Sequence, residues 1–252
     1  MIKVIVPISG GKDSQACLKL ALSEYKKEEV LGLFCDTKFE HPCTYNHVKW
    51  MGEFYGIEIK TITGGSVEEK IKKYKRFPGG GARFCTDELK IRESKIFYRE
   101  FSLAQGGFEV WYGMRSEESH ERKKRYKGRL DAELYPPHEI MPSKYPQYLE
   151  KQGVMFRLPI IDWAESEVLD FVGDELNPLY SHGFGRVGCF PCMASGDKWK
   201  EKAFSFDETG RKHFKIMKEL ESITEYPIYT SKAGQFKERQ HDLFSGCSIC
   251  AI

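Results

Sequence analysis

The apolar residues near the amino terminus come in short blocks that alternate between strand and helix periods. Ile2-Lys3-Val4-Ile5-Val6-Pro7-Ile8 is β-branched, far too short to span a membrane, and suited to a buried strand. Behind it Cys17/Leu18, Ala21/Leu22 and Tyr25 recur at helical spacing, which makes Ser9-Gly10-Gly11-Lys12-Asp13-Ser14 a strand-to-helix turn. Residues 30–35 read as a second buried strand ending at Asp36-Thr37. Glu40-His41-Pro42 then opens a helix that runs to about Tyr55 and stops at Gly56, and residues 57–61 alternate as a third strand. Strand, helix, strand, helix, strand is the arithmetic of an α/β doubly wound parallel sheet, which binds ligands at the carboxyl ends of its strands. Asp36 and Thr37 should therefore lie beside the Ser9 turn.

Further on, residues 108–112 form the next strand and deliver Gly113. Residues 135–152 are rich in Pro, Tyr and Lys without a period and read as a long loop or insertion. Phe156 to Trp163 leads into a helix carrying Val168, Leu169, Phe171 and Val172. Phe214, Met217 and Leu220 mark an amphipathic helix expected to pack on the sheet.

Bulk properties add little direction. Charged residues are 30% and hydrophobic ones 40% of the 252, with a net charge of +2, an ordinary soluble balance too mild to imply nucleic acid by itself. The start lacks the features of a signal peptide, so a cytoplasmic location with no membrane association is expected. In that compartment eight cysteines point to metal or sulfur chemistry rather than disulfides.

The chemistry concentrates in a few stretches. Small residues at Ser9, Gly10 and Gly11 let the backbone bend and converge several N–H groups. The helix dipole and the Lys12 ammonium add positive potential, so the corner should hold an anion, a phosphate foremost. The spacing is not that of the Walker loop, and a plain glycine turn with a surface lysine is the alternative. Pro78-Gly79-Gly80-Gly81 is a joint before Arg83-Phe84-Cys85-Thr86-Asp87-Glu88-Leu89-Lys90, a loop expected to move over a ligand. Cys85 is a cluster ligand, a sulfur-carrying nucleophile or a buried thiol, with Arg83 and Lys90 placed to favour thiolate in the first two cases. Arg115 can offer a planar fork to phosphate, with Glu118 orienting it. The run from Arg122 to Arg129, with Tyr126 inside it, either tracks a nucleic-acid backbone or is a solvated helix face. Cys189-Phe190-Pro191-Cys192 and Cys247-Ser248-Ile249-Cys250 supply four soft ligands suited to structural zinc or an iron–sulfur cluster. With Cys85 they make five candidates for four places. His41 and His47 read as structural or solvent-facing, and Cys17, Cys35 and Cys43 as small buried hydrophobes.

Ser9-Gly10-Gly11-Lys12-Asp13-Ser14 resembles the SGGxDS signature of the PP-loop superfamily, the adenine nucleotide alpha hydrolases. Phe34-Cys35-Asp36-Thr37-Lys38-Phe39-Glu40-His41-Pro42 is similar to the D-T-G-x-E-H-P segment of the phosphoadenosine phosphosulfate (PAPS) reductase family within it, with Lys38 where relatives usually carry Gly. The R-x-C-T-x-x-x-K at Arg83 to Lys90, the G-x-R-x-x-E-S-x-x-R at Gly113 to Arg122 and the P-I-x-D-W at Pro159 to Trp163 resemble the same family. The resemblance implies a PP-loop nucleotide-binding domain over 1–165 and a helical, cysteine-rich cluster region over 166–252. It implies ATP with Mg²⁺ near Asp13 and the nucleotide held by Ser9, Gly10, Gly11, Lys12, Asp13, Ser14, Asp36, Thr37, Gly113 and Arg115. Lys12, Asp13, Arg115 and Cys85 are then the catalytic set, and Cys85, Cys189, Cys192, Cys247 and Cys250 the pool holding a 4Fe-4S cluster, or zinc in its place. The complete first loop favours an ATP pyrophosphatase that adenylates an acceptor for sulfur insertion, into DNA or tRNA, with a cysteine desulfurase or other sulfur donor as partner. A PAPS or adenosine phosphosulfate (APS) reductase is the competing enzyme, and a non-catalytic ATP-binding subunit the third reading. A homodimer is among the assemblies left open.

Overall fold

The computed structural model describes residues 1–79, 83–224 and 226–230. In chain order the elements are β1 (Val4–Ile8), α1 (Lys12–Glu24), β2 (Val30–Cys35), α2 (Pro42–Tyr55), β3 (Glu58–Ile62) and α3 (Val67–Tyr74). A helical run follows: α4 (Phe84–Thr86), a π-type turn over Asp87–Ile91, and α5 (Arg92–Gln105). Then come β4 (Phe108–Trp111), α6 (His120–Arg125), α7 (Pro137–Ile140), α8 (Tyr148–Lys151), β5 (Val154–Arg157), α9 (Glu165–Val172), α10 (Asp197–Phe206) and α11 (Glu208–Glu221).

The five strands form one parallel sheet in the order β3-β2-β1-β4-β5. The chain builds outward from β1 to one side through β2 and β3, then returns to the other side through β4 and β5. The order therefore reverses at β1, and a crevice opens at its carboxyl end, directly before Ser9. Gly32 in β2 is required by packing, since a Cβ there would sit 2.8 Å from Ile59 Cγ1 on the neighbouring strand.

Alternation in β1 sorts the core into two faces. Val4, Val6 and Ile8 join Ala16, Cys17, Leu18 and Ala21 of α1, Val48 and Met51 of α2, and Val168 and Val172 of α9. Ile5 faces the other way, toward Tyr98 of α5 and toward Tyr135, Ile140, Tyr145 and Leu149. The expectation of a loop over 135–152 is thus corrected. Its aromatic and apolar residues are the lid of the second core, and Tyr135 pairs with Phe156 in an antiparallel bridge. The aperiodic pattern arises because two very short helices, α7 and α8, each commit only one or two residues inward.

A second correction concerns α11. Met217 and Leu220 pack with Val67 and Ile71 of α3, Phe204 of α10, and Phe84, Leu89 and Met193, rather than on the sheet. The amphipathic face was legible; its partner was not.

Both histidines of the 40s are structural. His41 caps α2, accepting the Cys43 N–H at Nδ1 (3.1 Å), while Nε2 meets Asp207 Oδ2 at 2.7 Å. His47 is buried and donates from Nε2 to Gln15 Oε1 at 3.0 Å. Of the three thiols expected in the core, Cys17 is buried, while Cys35 and Cys43 are only partly so. No helix among the described residues is long and apolar enough to cross a membrane.

Burial lowers the pKa of His47 to about 4 from an ordinary 6.5. The unfolded chain then binds a proton at that ring between these values and the folded chain does not, so stability falls as pH drops from about 6.5 toward 4. Urea midpoints measured across this range should decline for the native sequence and decline less for His47→Gln.

Candidate active site

The turn after β1 is held by its own side chains. Ser14 Oγ accepts the Ser9 N–H at 3.1 Å and donates to the Gly11 carbonyl at 2.8 Å, and Ser9 Oγ accepts the Gly11 N–H at 3.3 Å. Gly10 has φ +73°, and a Cβ there would meet Thr44 Cγ2 at 2.7 Å, so both conformation and space demand glycine. The turn opens directly into α1, with Gly11 as its extended N-cap. The helix dipole is thereby aimed into the crevice.

Lys12 and Arg115 converge on this corner. The Lys12 ammonium is buried and lies 2.8 Å from Glu165 Oε1, 3.2 Å from the Gly185 carbonyl and 3.8 Å from Asp13 Oδ2. The Arg115 guanidinium, also buried, donates from Nε to Asp13 Oδ1 at 2.6 Å and from Nη1 to Glu117 Oε2 at 3.0 Å. Asp13 and Glu117 therefore orient Arg115. The expectation that Glu118 does so is corrected: its carboxylate accepts the Arg115 backbone N–H at 3.3 Å and pairs with Arg122 one helical turn on.

Gly113 explains how Arg115 reaches the corner. A Cβ at Gly113 would lie 2.7 Å from the Asp13 carbonyl oxygen and 3.1 Å from the Ser14 nitrogen. What approaches this glycine is the backbone of the first turn, and the contact seats the loop after β4 on the start of α1.

Asp36 follows β2 on the other side of β1, as expected. Its carboxylate is buried and accepts the Lys38 N–H (2.8 Å), the Lys38 ammonium (2.5 Å) and the Tyr45 hydroxyl (2.8 Å). Burial alone would raise its pKa, but these donors outweigh burial and hold it below the usual carboxylate range. Lys38 has φ +59°, a left-handed backbone that favours glycine. The lysine accepts that strain while placing its ammonium on Asp36. Asp36 also borders a cavity of about 460 Å³ lined by Phe34, Tyr45, Val48, Ile59 and Thr61. Lys49 and Glu53 also line it, and an apolar floor with polar groups at its edge suits a nucleoside.

The cysteine loop docks on the same turn. Cys189 bridges Glu40 in antiparallel fashion, and its Sγ lies 3.4 Å from Thr37 Oγ1 and 3.8 Å from Glu40 Oε1. Burial pushes the Cys189 thiol up to about 11, Lys90 pulls it back, and Glu40 adds to the rise. Cys85 is also raised by burial and by the charge of Cys192, which acts on Cys189 as well, and Lys90 opposes the rise at both Cys85 and Cys189. Among the described residues no group of three or more His, Cys, Asp or Glu side chains is arranged to hold a metal ion. Cys247 and Cys250, and Gly80 and Gly81 of the expected joint, lie outside the described residues.

The residues missed from sequence sit mostly in one stretch. The Tyr180 hydroxyl accepts the Lys12 N–H at 3.0 Å, and Asn177 Nδ2 donates to the Gly10 carbonyl at 3.0 Å. Asn177-Pro178-Leu179-Tyr180 carries no local signal of a role at the first turn, yet its polar members brace it. Glu165 and Glu117 were likewise silent, being acidic residues at a helix start and in a charged turn. Tyr126 is buried, its hydroxyl against Met114 Sδ, while Lys123, Lys124, Arg125 and Lys127 are exposed.

The family model for the phosphoadenosine phosphosulfate reductase domain matches residues 3–195. An uncharacterised protein of Methanocaldococcus jannaschii is 31% identical over 194 residues, 76% of this chain and 36% of that protein. The chain thus spans little more than a third of that relative's length. The phosphoadenosine 5′-phosphosulfate reductase of Buchnera aphidicola is 24% identical over 192 residues, 73% of this chain and 68% of that enzyme. Among solved structures, the PAPS reductase of Candida auris in its phosphate complex aligns with a TM-score of 0.48 at 18% identity, over 75% of this chain and 82% of that one.

Because Gly113 abuts backbone rather than a flexible side chain, Gly113→Ala should force the two turns apart. The expected loss is about 1–3 kcal/mol of stability, read as a lower urea midpoint with an unchanged slope.

Proposed function

This chain belongs to the phosphoadenosine phosphosulfate reductase domain family, and from that premise we propose that it is an ATP pyrophosphatase that adenylates an acceptor for sulfur insertion into nucleic acid. The observation that carries the reading is the pair of buried cations, Lys12 and Arg115, brought to one helix N-terminus at the sheet's reversal point. Such a corner serves the charge of a departing pyrophosphate better than the neutral body of a nucleoside.

In this scheme an acceptor oxygen attacks the α-phosphorus of ATP. The bond from that phosphorus to the bridging oxygen breaks, and its electron pair leaves on pyrophosphate. Lys12, the turn from Ser9 to Ser14 and the dipole of α1 hold the leaving group, and Arg115 neutralises charge developing at the α-phosphate. Asp36 and Thr37 border the nucleoside. Asp13, whose Oδ2 faces Lys12 while Oδ1 holds Arg115, would hold Mg²⁺, which supplies further charge neutralisation on the phosphates. A sulfur nucleophile from a cysteine desulfurase or similar donor then displaces AMP from the acceptor.

Soft thiols are the donor chemistry of a thiolate-held centre, and Cys189 stands beside Thr37, 3.4 Å from its hydroxyl. Cys85, Cys189 and Cys192 are not gathered into a metal-holding group among the described residues, so a 4Fe-4S cluster, or zinc, would require them to draw together, with Cys247 or Cys250 completing the set. A cluster there would supply a sulfur-binding iron next to the nucleotide.

The nucleic-acid acceptor is supported by α6 and the residue after Tyr126. Lys123, Lys124, Arg125 and Lys127 are exposed, and no ion pair among the described residues involves them. They continue from the loop that carries Arg115, and the exposed Arg186 stands 4.0 Å from Glu118 at the base of that loop. The reductase reading is favoured by the family itself and by the relative in Buchnera aphidicola, and it predicts a different product.

Two measurements test the proposal. Purified protein with ATP and an RNA or DNA acceptor should release pyrophosphate, and Lys12→Ala should lower the rate by about 10²–10³. Thiol-dependent sulfite from adenylyl sulfate, with no pyrophosphate from ATP, would select the reductase instead. Reversing the exposed helix charges (Lys123→Glu, Lys124→Glu, Arg125→Glu) should weaken oligonucleotide binding and reduce its salt slope by about 2–3, while ATP binding stays unchanged.

A further inference from the structure

Both cations of the corner are already neutralised from outside. Lys12 and Arg115 are buried, with side-chain exposures of 3% and 5%, whereas their partners Glu165 and Glu117 are 53% and 59% exposed. Asp13, at 23%, is the inner partner shared by both cations. Glu117 Oε2 does double duty: it accepts from Arg115 Nη1 at 3.0 Å and from the Glu165 backbone N–H at 2.8 Å. One oxygen thus ties the start of α9 to the Arg115 loop, and the side chain next to that N–H reaches Lys12.

The energetics of these contacts are unequal. A buried cation stripped of its counter-charge is costly, so Lys12 and Arg115 must always have anions against them. A half-exposed carboxylate loses little when it swings into water. The exchangeable members are therefore the two glutamates. While they are in place, two cations face three carboxylates, and an incoming anion meets net negative charge. Once both have turned out, the two cations face Asp13 alone, and the vacated positions need about two negative charges to refill them.

We infer that Glu165 and Glu117 are built-in surrogates for ligand oxygens, holding the cradle's cations until a multiply charged pyrophosphate end displaces them and thereby discriminating against a singly charged sulfonate. The inference rests on the reading of this corner as a phosphate site and adds to it the residues that set its selectivity. It assigns a cause to a preference for a polyphosphate tail over an adenylyl sulfate end. A sulfonate brings one charge and leaves one buried cation to be satisfied by a glutamate, so the pair of carboxylates is never fully released.

Isothermal titration of the full chain with inorganic pyrophosphate and with methanesulfonate, a singly charged sulfonate, at fixed ionic strength and without metal, tests this. Glu165→Gln should bind pyrophosphate about fivefold more tightly than the native chain, and methanesulfonate should gain by a larger factor, so the preference for pyrophosphate narrows. Glu117→Gln should shift both affinities in the same direction, which keeps the test available if one variant folds poorly. Glu167→Gln is the charge-matched control. Its carboxylate accepts the Ala164 N–H at 2.6 Å and does not touch Lys12, so its affinities should stay native. Equal pyrophosphate binding by the native chain, Glu165→Gln and Glu117→Gln would overturn the inference and leave the phosphate site standing. Equal gains from Glu165→Gln and Glu167→Gln would reduce the effect to net charge and overturn it as well. Absence of pyrophosphate binding in every form would remove the phosphate site and the inference together.

Discussion

The bond between Arg115 and Asp13 is the contact on which the site's geometry depends. At 2.6 Å it is a charge-assisted hydrogen bond between residues 102 apart in sequence, joining the loop after β4 to the first turn of α1. Those two segments follow the strands that lie side by side at the sheet's reversal point. Without the bond, the dipole of α1 and the guanidinium would be two separate positive features at the carboxyl end of the sheet. With it they become one cradle, and Gly113 supplies the close backbone contact that makes the bond reachable. Asn177 and Tyr180 then brace the same turn from the far side.

A second node couples that cradle to the cysteine loop. Glu40 is buried, yet its carboxylate is surrounded by donors: the Thr37 N–H and hydroxyl, the Phe39 N–H, the Tyr45 hydroxyl and, more distantly, the Cys189 thiol. A charge buried with that many partners fixes the shape of its surroundings. Tyr45 in turn reaches Asp36, so the turn bordering the cavity beside Asp36 and the docking of the cysteine loop share one hydrogen-bond network. The placement of Cys189 next to the candidate nucleotide site follows from Glu40, not from proximity in sequence.

These two nodes also explain what was legible beforehand. The strands β1 to β4, α2 with its Gly56 stop, and the convergence of the Ser9 turn with Asp36 follow from local periodicity and from the rule that parallel sheets carry sites at their carboxyl ends. Local signals are silent about long-range partners. Nothing near Glu118 distinguishes it from Glu117 as the residue that meets the Arg115 side chain; the choice is made by how the 3₁₀ turn at 116–118 faces Asp13. The segment 135–152 reads as a loop because its helices are single turns, too short to show a period, although Tyr145 and Leu149 are among the most buried residues. The helix α11 shows its apolar stripe plainly, but a stripe does not say whether a sheet or another helix will cover it. Lys38 is the instructive case. It stands where relatives usually carry glycine, and the structure keeps the left-handed backbone and gains an ammonium on Asp36.

The corner is preorganised in position but not in charge. Its cations are fixed by burial and by Asp13, so a ligand meets donors already aimed at one place. Their charge is masked by two glutamates that a folded chain can release cheaply. This division resolves a conflict built into any buried phosphate site. Cations placed for catalysis would destabilise the empty protein if left bare, and cations permanently paired would bind nothing. Setting the inner carboxylate to hold geometry and the outer ones to hold charge lets one constellation satisfy folding and ligand binding in turn. The outer carboxylates must then come from segments that border solvent, and both do: Glu117 from the turn after β4 and Glu165 from the first residue of α9.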